Sequence, residues 1–298
     1  MLQGKVSLVI GASRGIGAGV ARELAAHGSH VIAAARTLEE SQSFGVGPNV
    51  HELPGSLNQT VADIVKSGGS AEADRLDVLD STQVAQLVDK VSRKHGAIDI
   101  VANCAMGFPD TYKGSVLTSD ESQWGAMVDV GVRGKYSVIH HASKVMVQKR
   151  SGLIVNISAG ASKIDYYQPL FRVAMAAVDR LTEAAAQDLK EFDITCLSIW
   201  PRWVRTEWML MAAKDSTLGV EVTKQDLESS DSPEFVGRAI AHIAADPDMR
   251  ALSGQIIPVL ALAHLYGFDD VDGSRPQLDD FTKIWCEKLA SIRAITND

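Results

Sequence analysis

The sequence predicts an α/β fold: a single domain built on a doubly wound, parallel, seven-stranded sheet flanked by helices. Short apolar runs rich in β-branched residues alternate with longer segments of helical period, which is the pattern of consecutive βαβ units. A glycine-rich turn joins the first apolar run to the first helical segment. No repeat and no stretch of linker composition divides the 298 residues, a length that doubly wound units commonly reach as one domain.

In chain order the strands are expected at Val6–Ile10, His30–Ala34, Ala71–Leu76, Ile98–Asn103, Gly152–Ser158, Ile194–Trp200 and Gln255–Val259. Most are short runs dense in Val, Ile and Ala, as strands buried on both faces require. Helices are expected at Gly15–His27, Ser81–His95, Glu121–Gln148, Leu170–Glu191 and Pro233–Ala245. Ser232 reads as the N-cap of the last of these, with Pro233 at its first position. The apolar stretch Ile256 to Leu265 suits core strand and helix. The rhythm breaks at Thr37–Asn58, rich in Ser, Gly, Pro and Glu, and again after Gly267, so both are expected as surface loops. Residues from about 207 to 232 are expected to cover a substrate, and those from about 268 to 298 to form a tail.

Composition narrows the function classes. Hydrophobic residues make up 46% and charged residues 22%, which provides for a core and departs from the disordered signature. A net charge of −8 offers no basic stripe to a phosphate backbone, so nucleic acid is not an expected partner. No run reaches the ~18 apolar residues of a membrane span. Cys104, Cys196 and Cys286 are odd in number, widely spaced and set among apolar residues, so reduced thiols are expected rather than disulfides or a metal site. The opening MLQGKVSLVIGAS lacks a basic region before an apolar run, and a cytoplasmic setting is expected.

The first strand runs into Gly11-Ala12-Ser13-Arg14-Gly15-Ile16-Gly17, after which a helix begins. This context is what a dinucleotide fingerprint of the Rossmann type demands. Glycines allow the tight turn and a close backbone approach, and the helix N-terminus meets a pyrophosphate with free N–H groups. Gly11, Ser13, Arg14, Gly15, Ile16 and Gly17 are therefore candidate cofactor contacts, against the plainer alternative of an ordinary strand-to-helix turn. The second strand ends at Ala35-Arg36, where an acid would bind a ribose 2′-hydroxyl. Arg36 and Arg14 instead make the local charge positive, which favours NADP(H) over NAD; the alternative is that Arg36 is a solvated loop residue.

With its G-x-x-x-G-x-G spacing, the turn resembles that of the short-chain dehydrogenase/reductase family, and other segments fall into register with it. Asp77 and Val78 resemble that family's adenine-contacting pair. Asn103-Cys104-Ala105 resembles its N-N-A-G segment, which implies cofactor contacts for Asn103 and Ala105. Trp200-Pro201-Arg202-Trp203-Val204-Arg205-Thr206 resembles the P-G-x-V-x-T loop beside the nicotinamide, which implies contacts for Pro201, Val204 and Thr206. Ser253-Gly254, Tyr266-Gly267, Asp270, Asp272 and Gly273 resemble one mammalian branch. The resemblance implies a homo-oligomer, dimer or tetramer, and the apolar replacements at Phe171 and Met175 with Trp203 and Trp208 point to a small apolar substrate.

The same resemblance implies an Asn-Ser-Tyr-Lys tetrad for carbonyl reduction. Its positions hold Gly131, Ala159, Phe171 and Met175, and no tyrosine in the chain is followed four residues later by lysine. Removing a positioned acid costs ~10²–10⁴ in rate, so ordinary ketone reduction is expected to be slow or absent. Substitute chemistry has candidates in Asp165, Tyr166, Tyr167 and Ser158, although Asp165 also reads as a solvated loop acid. Ser158 precedes the tetrad position by one residue, and a one-residue step along a strand reverses the face. Arg202, where the family carries glycine, would either pair with phosphate or block the nicotinamide. Trp203 and Trp208 are expected to wall the substrate space together with Phe171 and Met175.

Several readings stay open. One is a specialised enzyme, transferring hydride to an iminium or other activated acceptor, or guiding an isomerisation or cyclisation. A second is an ordinary reductase that uses unplaced residues, and a third is a non-catalytic NADP-binding module.

Overall fold

The computed structural model describes residues 1–39, 53–107, 114–160, 168–215 and 221–296. Seven parallel strands form one sheet: β1 Val6–Ile10, β2 His30–Ala35, β3 Ser70–Arg75, β4 Ile100–Asn103, β5 Gly152–Ile157, β6 Ile194–Trp200 and β7 Ile256–Pro258. Their spatial order is β3-β2-β1-β4-β5-β6-β7. The chain therefore winds outward from β1 in one direction and from β4 in the other. This reversal opens a crevice at the carboxyl ends of β1 and β4, where ligands of doubly wound sheets lie.

Apolar residues on both faces hold the sheet between helices. Helices α1 Gly15–Ala26, α8 Pro233–Ala245 and α9 Val259–Tyr266 cover one face, burying Val20, Leu24, Phe235, Ile240 and Leu262. Helices α3 Ser81–His95, α4 Gly134–Lys149 and α5 Pro169–Leu189 cover the other, where Leu87, Val91, Ile139, Met146 and Ala185 are buried. Asp80 caps α3 by accepting from the Thr82 and Gln83 N–H groups, and Gly96 closes it in the left-handed region. Ser232 caps α8 with Pro233 in its first turn, as the sequence predicts.

The structure corrects three expectations about elements. Leu57–Lys66 is helix α2, capped by Ser56, so the expected loop at Thr37–Asn58 ends sooner; residues 40–52 lie outside the described ones. The single helix expected at Glu121–Gln148 is a 3₁₀ turn at Glu121–Gln123, a π-helix at Gly125–Arg133 and then α4. Gly125, Gly131 and Gly134 relax that stretch enough for its wider turns, a form that recurs at functional sites. After Gly267 the chain forms helix α10, Asp280–Thr296, rather than loop throughout. Its Leu289 is buried in the main core, with Trp285 and Ile292 packed against it. That burial supplies stability a loop composition does not advertise. Two short helices complete the chain, α6 Glu207–Ala212 and α7 Lys224–Glu228.

Candidate active site

A cleft of about 900 Å³ lies along the carboxyl ends of the strands. Gly11, Ser13, Arg14, Gly15, Ile16 and Gly17 line it from the β1–α1 turn, Arg36 from the end of β2, Asp77 and Val78 from the end of β3. Ala105 lines it beyond β4, and Pro201, Val204 and Thr206 beyond β6. The turn has no room for larger residues. A Cβ on Gly17 would stand 2.2 Å from the Gly11 carbonyl oxygen, and one on Gly11, whose φ is +85°, would stand 2.8 Å from the Ala105 nitrogen. Glycine is required at both.

The amino end of α1 already holds an anion. Gly15 N–H donates to Glu207 Oε2 at 2.7 Å, so a carboxylate from α6 stands in for the acidic group that such a helix end attracts. Beside it, Arg14 donates to the backbone oxygens of Leu53, Pro54 and Gly55. Burial pulls the Arg14 pKa down, Glu207 opposes this, and the neighbouring Arg36 adds to it. Two guanidinium groups thus crowd one end of the cleft, an arrangement that a dianionic phosphate would relieve.

Two features of the floor were missed by the sequence reading. Lys135, one turn beyond Gly131 on the helix, is 2% exposed and lines the cleft. It donates to the Ala105 carbonyl oxygen at 2.6 Å. Burial lowers its pKa from 10.5 to about 8, and the adjacent Cys104 stays a thiol, its own pKa pushed by burial to about 12. Asn103, expected at the cofactor, turns into the sheet instead. Its side-chain NH₂ donates to Asn156 Oδ1 at 2.9 Å, Asn156 donates to Thr182 Oγ1 at 2.8 Å, and Thr182 meets Ser198 Oγ at 2.8 Å. Asn103 is a core residue because β4 presents its side chain to β5, where its NH₂ is bonded while its Oδ1 is buried without a partner.

The opposite wall is apolar where proton transfer is expected in carbonyl reductases. Ala159, Phe171 and Met175 all line the cleft, and Phe171 and Met175 are buried against Ala126, Met127 and Val178. Gly131 does not line it; a Cβ there would lie 2.8 Å from Met106 Sδ. Ser158 does. Strand β5 ends at Ile157, so strand alternation no longer governs Ser158, and the expected reversal of face does not separate it from Ala159. Asp179, eight residues after Phe171 on α5, stands behind this wall. Burial raises its carboxyl pKa to about 6 against the lowering influence of Ser158, Trp200 and Ser198. Asp179 Oδ1, Ser158 Oγ and Trp200 Nε1 are all buried with no closed hydrogen bond, so this polar cluster approaches contact without completing it.

A family model described as enoyl-(acyl carrier protein) reductase matches residues 11–260. Dehydrogenase/reductase SDR family member 1 of Mus musculus is 30% identical over 290 residues, covering 94% of this chain and 87% of that protein. The chain belongs to the short-chain dehydrogenase/reductase family. A 3-oxoacyl-acyl-carrier-protein reductase of Synechocystis is 28% identical, covering 87% of this chain and 96% of that protein. The same fold occurs in an actinorhodin polyketide ketoreductase solved with NADPH, with a TM-score of 0.73, 23% identity, and coverage of 87% of this chain and 97% of that one. A metagenomic short-chain oxidoreductase solved with NADP gives a TM-score of 0.64 at 24% identity, covering 83% and 93%.

Other expected parts of this short-chain dehydrogenase/reductase are placed as follows. Arg202 lines the cleft, and its guanidinium donates to the buried Asp231 at 2.6 Å. Trp203 and Trp208 line the cleft. Phe281 and Thr282 of α10 close its far side, Phe281 stacking on Trp200 with ring centres 5.9 Å apart. The tail expected as a loop therefore supplies a wall. Asp165, Tyr166 and Tyr167 lie outside the described residues. The three cysteines are free, and no helix among the described residues is long and apolar enough to cross a membrane.

Proposed function

We propose that this protein is an NADP(H)-dependent oxidoreductase that acts on a small apolar substrate without a tyrosine acid. The cofactor's pyrophosphate would lie at the amino end of α1 in place of Glu207, and its 2′-phosphate between Arg14 and Arg36. The glycine turn fits this, since a Cβ at Gly11 or Gly17 would collide with backbone, and so does the anion already held at Gly15 N–H. When bound, the cofactor supplies or accepts a hydride. The chain's residues hold and orient it, and Lys135 places a buried cation beside Ala105 on the cleft wall.

One observation carries the choice of reaction. Ala159, Phe171 and Met175 all line the cleft, and these three residues carry neither a hydroxyl nor an ammonium group. A neutral ketone that receives a hydride becomes an alkoxide, which needs a proton or an oxyanion partner. An iminium becomes a neutral amine directly and needs neither. The class of acceptor that fits is therefore one already cationic when it enters, an iminium; a polarised alkene would leave a carbanion that still needs a proton.

The test is to restore the missing groups. Ala159→Ser, Phe171→Tyr and Met175→Lys together are expected to raise NADPH-dependent reduction of simple ketones by ~10²-fold or more over the wild type. Robust ketone reduction by the wild type would overturn the reading. A second reading, ordinary ketone reduction through other groups, is favoured by the Ser158 hydroxyl on the cleft wall and the Asp179 carboxyl of pKa about 6 behind it. In that case Asp179→Asn and Ser158→Ala would each abolish a wild-type ketone activity.

A further inference from the structure

Away from the cleft, at the outer edge of the sheet, three metal-binding side chains converge from three elements. His30 is the first residue of β2, Glu72 belongs to the edge strand β3, and His95 ends α3. Glu72 Oε1 lies 2.7 Å from His95 Nε2 and 3.5 Å from His30 Nε2. All three donor atoms fall within 4.8 Å of one another, and the two imidazole rings stand 4.6 Å apart.

The surrounding contacts orient these atoms toward a common point. Ser70 Oγ meets His30 Nδ1 at 2.7 Å. If it accepts from Nδ1–H, the Nε2 lone pair points inward, and that nitrogen is buried without a hydrogen-bond partner. A hydrogen-bond acceptor then faces a carboxylate oxygen with no proton between them. Lys94 engages the other carboxylate oxygen, Oε2, and leaves Oε1 between the imidazoles. An outer partner that fixes a ring tautomer, as Ser70 does for His30, is typical of metal sites.

We propose that His30 Nε2, Glu72 Oε1 and His95 Nε2 form a binding site for a divalent cation of the zinc class. Ligand bonds of 2.0–2.1 Å in tetrahedral geometry put ligand atoms roughly 3.3 Å apart. The observed 2.7 and 3.5 Å bracket that spacing, and the two imidazole nitrogens lie within 4.8 Å of each other. Two imidazoles and one carboxylate suit Zn²⁺ and its neighbours better than Mg²⁺ or Ca²⁺, which favour all-oxygen sets. A bound ion would tie the edge strand to β2 and to the end of α3, and this structural role is independent of the cleft.

The test uses full-length, untagged protein stripped with EDTA and titrated with Zn²⁺ by calorimetry and thermal melting. The expected result is one Zn²⁺ per chain with a raised melting temperature. His30→Gln, Glu72→Gln and His95→Gln are each expected to weaken binding at least tenfold, and Ser70→Ala about tenfold. Co²⁺ is expected to give the visible absorption of a tetrahedral site. Lys94→Met keeps all three ligands and removes a competing cation, so it is expected to bind Zn²⁺ more tightly than the wild type. Wild-type protein that binds no Zn²⁺, binding unchanged in His30→Gln, or weaker binding in Lys94→Met would each overturn the proposal.

Discussion

Replacing Lys135 with Met tests whether the cleft holds a destabilising charge. Folding moves this amine from water to a site where it is 2% exposed. Its pKa falls from 10.5 to about 8, which corresponds to about 3 kcal/mol of unfavourable burial for the charged form at pH 7. Lys135→Met removes that penalty but leaves the Ala105 carbonyl oxygen without its donor, a loss of about 1–2 kcal/mol. The variant is thus expected to be more stable than the wild type at pH 7 by about 1–2 kcal/mol, measured by urea unfolding. The pH dependence carries its own sign. Between the folded pKa of about 8 and the unfolded 10.5, the unfolded state binds more protons, so the wild type gains stability as pH rises through that window. The variant lacks this gain, and its advantage is expected to shrink by about pH 9.5. A variant less stable than the wild type at pH 7, or an advantage that does not change with pH, would refute a buried charged lysine. Retaining so costly a group is what a functional site permits, and the variant is also expected to bind NADPH more weakly.

Further predictions concern the anion site and the buried network. Glu207→Gln replaces a charge-assisted acceptor at Gly15 N–H by a weaker neutral one. The roughly 1 kcal/mol difference is expected to tighten NADPH binding about five- to tenfold in a fluorescence titration; unchanged or weaker binding would show that Glu207 does not compete with the cofactor. Asn156→Ala breaks the chain of hydrogen bonds from Asn103 to Thr182 and leaves buried polar groups unpaired. It is expected to cost about 2–4 kcal/mol of stability in urea unfolding, and a loss below about 0.5 kcal/mol would contradict the network's structural role.

The parts of this molecule legible in its sequence are those written locally. Strand composition, the Ser232-Pro233 helix start and the glycine spacing after β1 each follow from residues adjacent in sequence. The parts that were not legible depend on long-range contacts. Lys135 looks like any surface lysine until Ala105, thirty residues earlier, is seen to accept from it. For Arg202 the sequence offers only a choice between pairing with phosphate and blocking the nicotinamide, and its bond to Asp231, 29 residues later, is a long-range contact. Asn103 ends a strand that reaches the cleft, and its pairing with Asn156 turns it into the core. Helix α10 has modest helical patterning of its own and is held by packing of Trp285, Leu289 and Ile292 on the core. Asp179 had a local clue, an acid in the apolar sequence of α5, but its raised pKa depends on burial against β6.

The central claim is that the cleft takes NADP(H) through the glycine turn and the Arg14–Arg36 pair. Titration of the wild-type protein with NADPH and with NADH, followed by energy transfer from the cleft tryptophans to the reduced nicotinamide, tests it most directly. Trp200, Trp203 and Trp208 all line the cleft and serve as donors. Saturable transfer is expected with NADPH and binding at least about tenfold weaker for NADH, a margin of roughly 1.4 kcal/mol for the 2′-phosphate contacts. Equal binding of the two would contradict the role of the arginines, and transfer from neither would contradict the cofactor site itself.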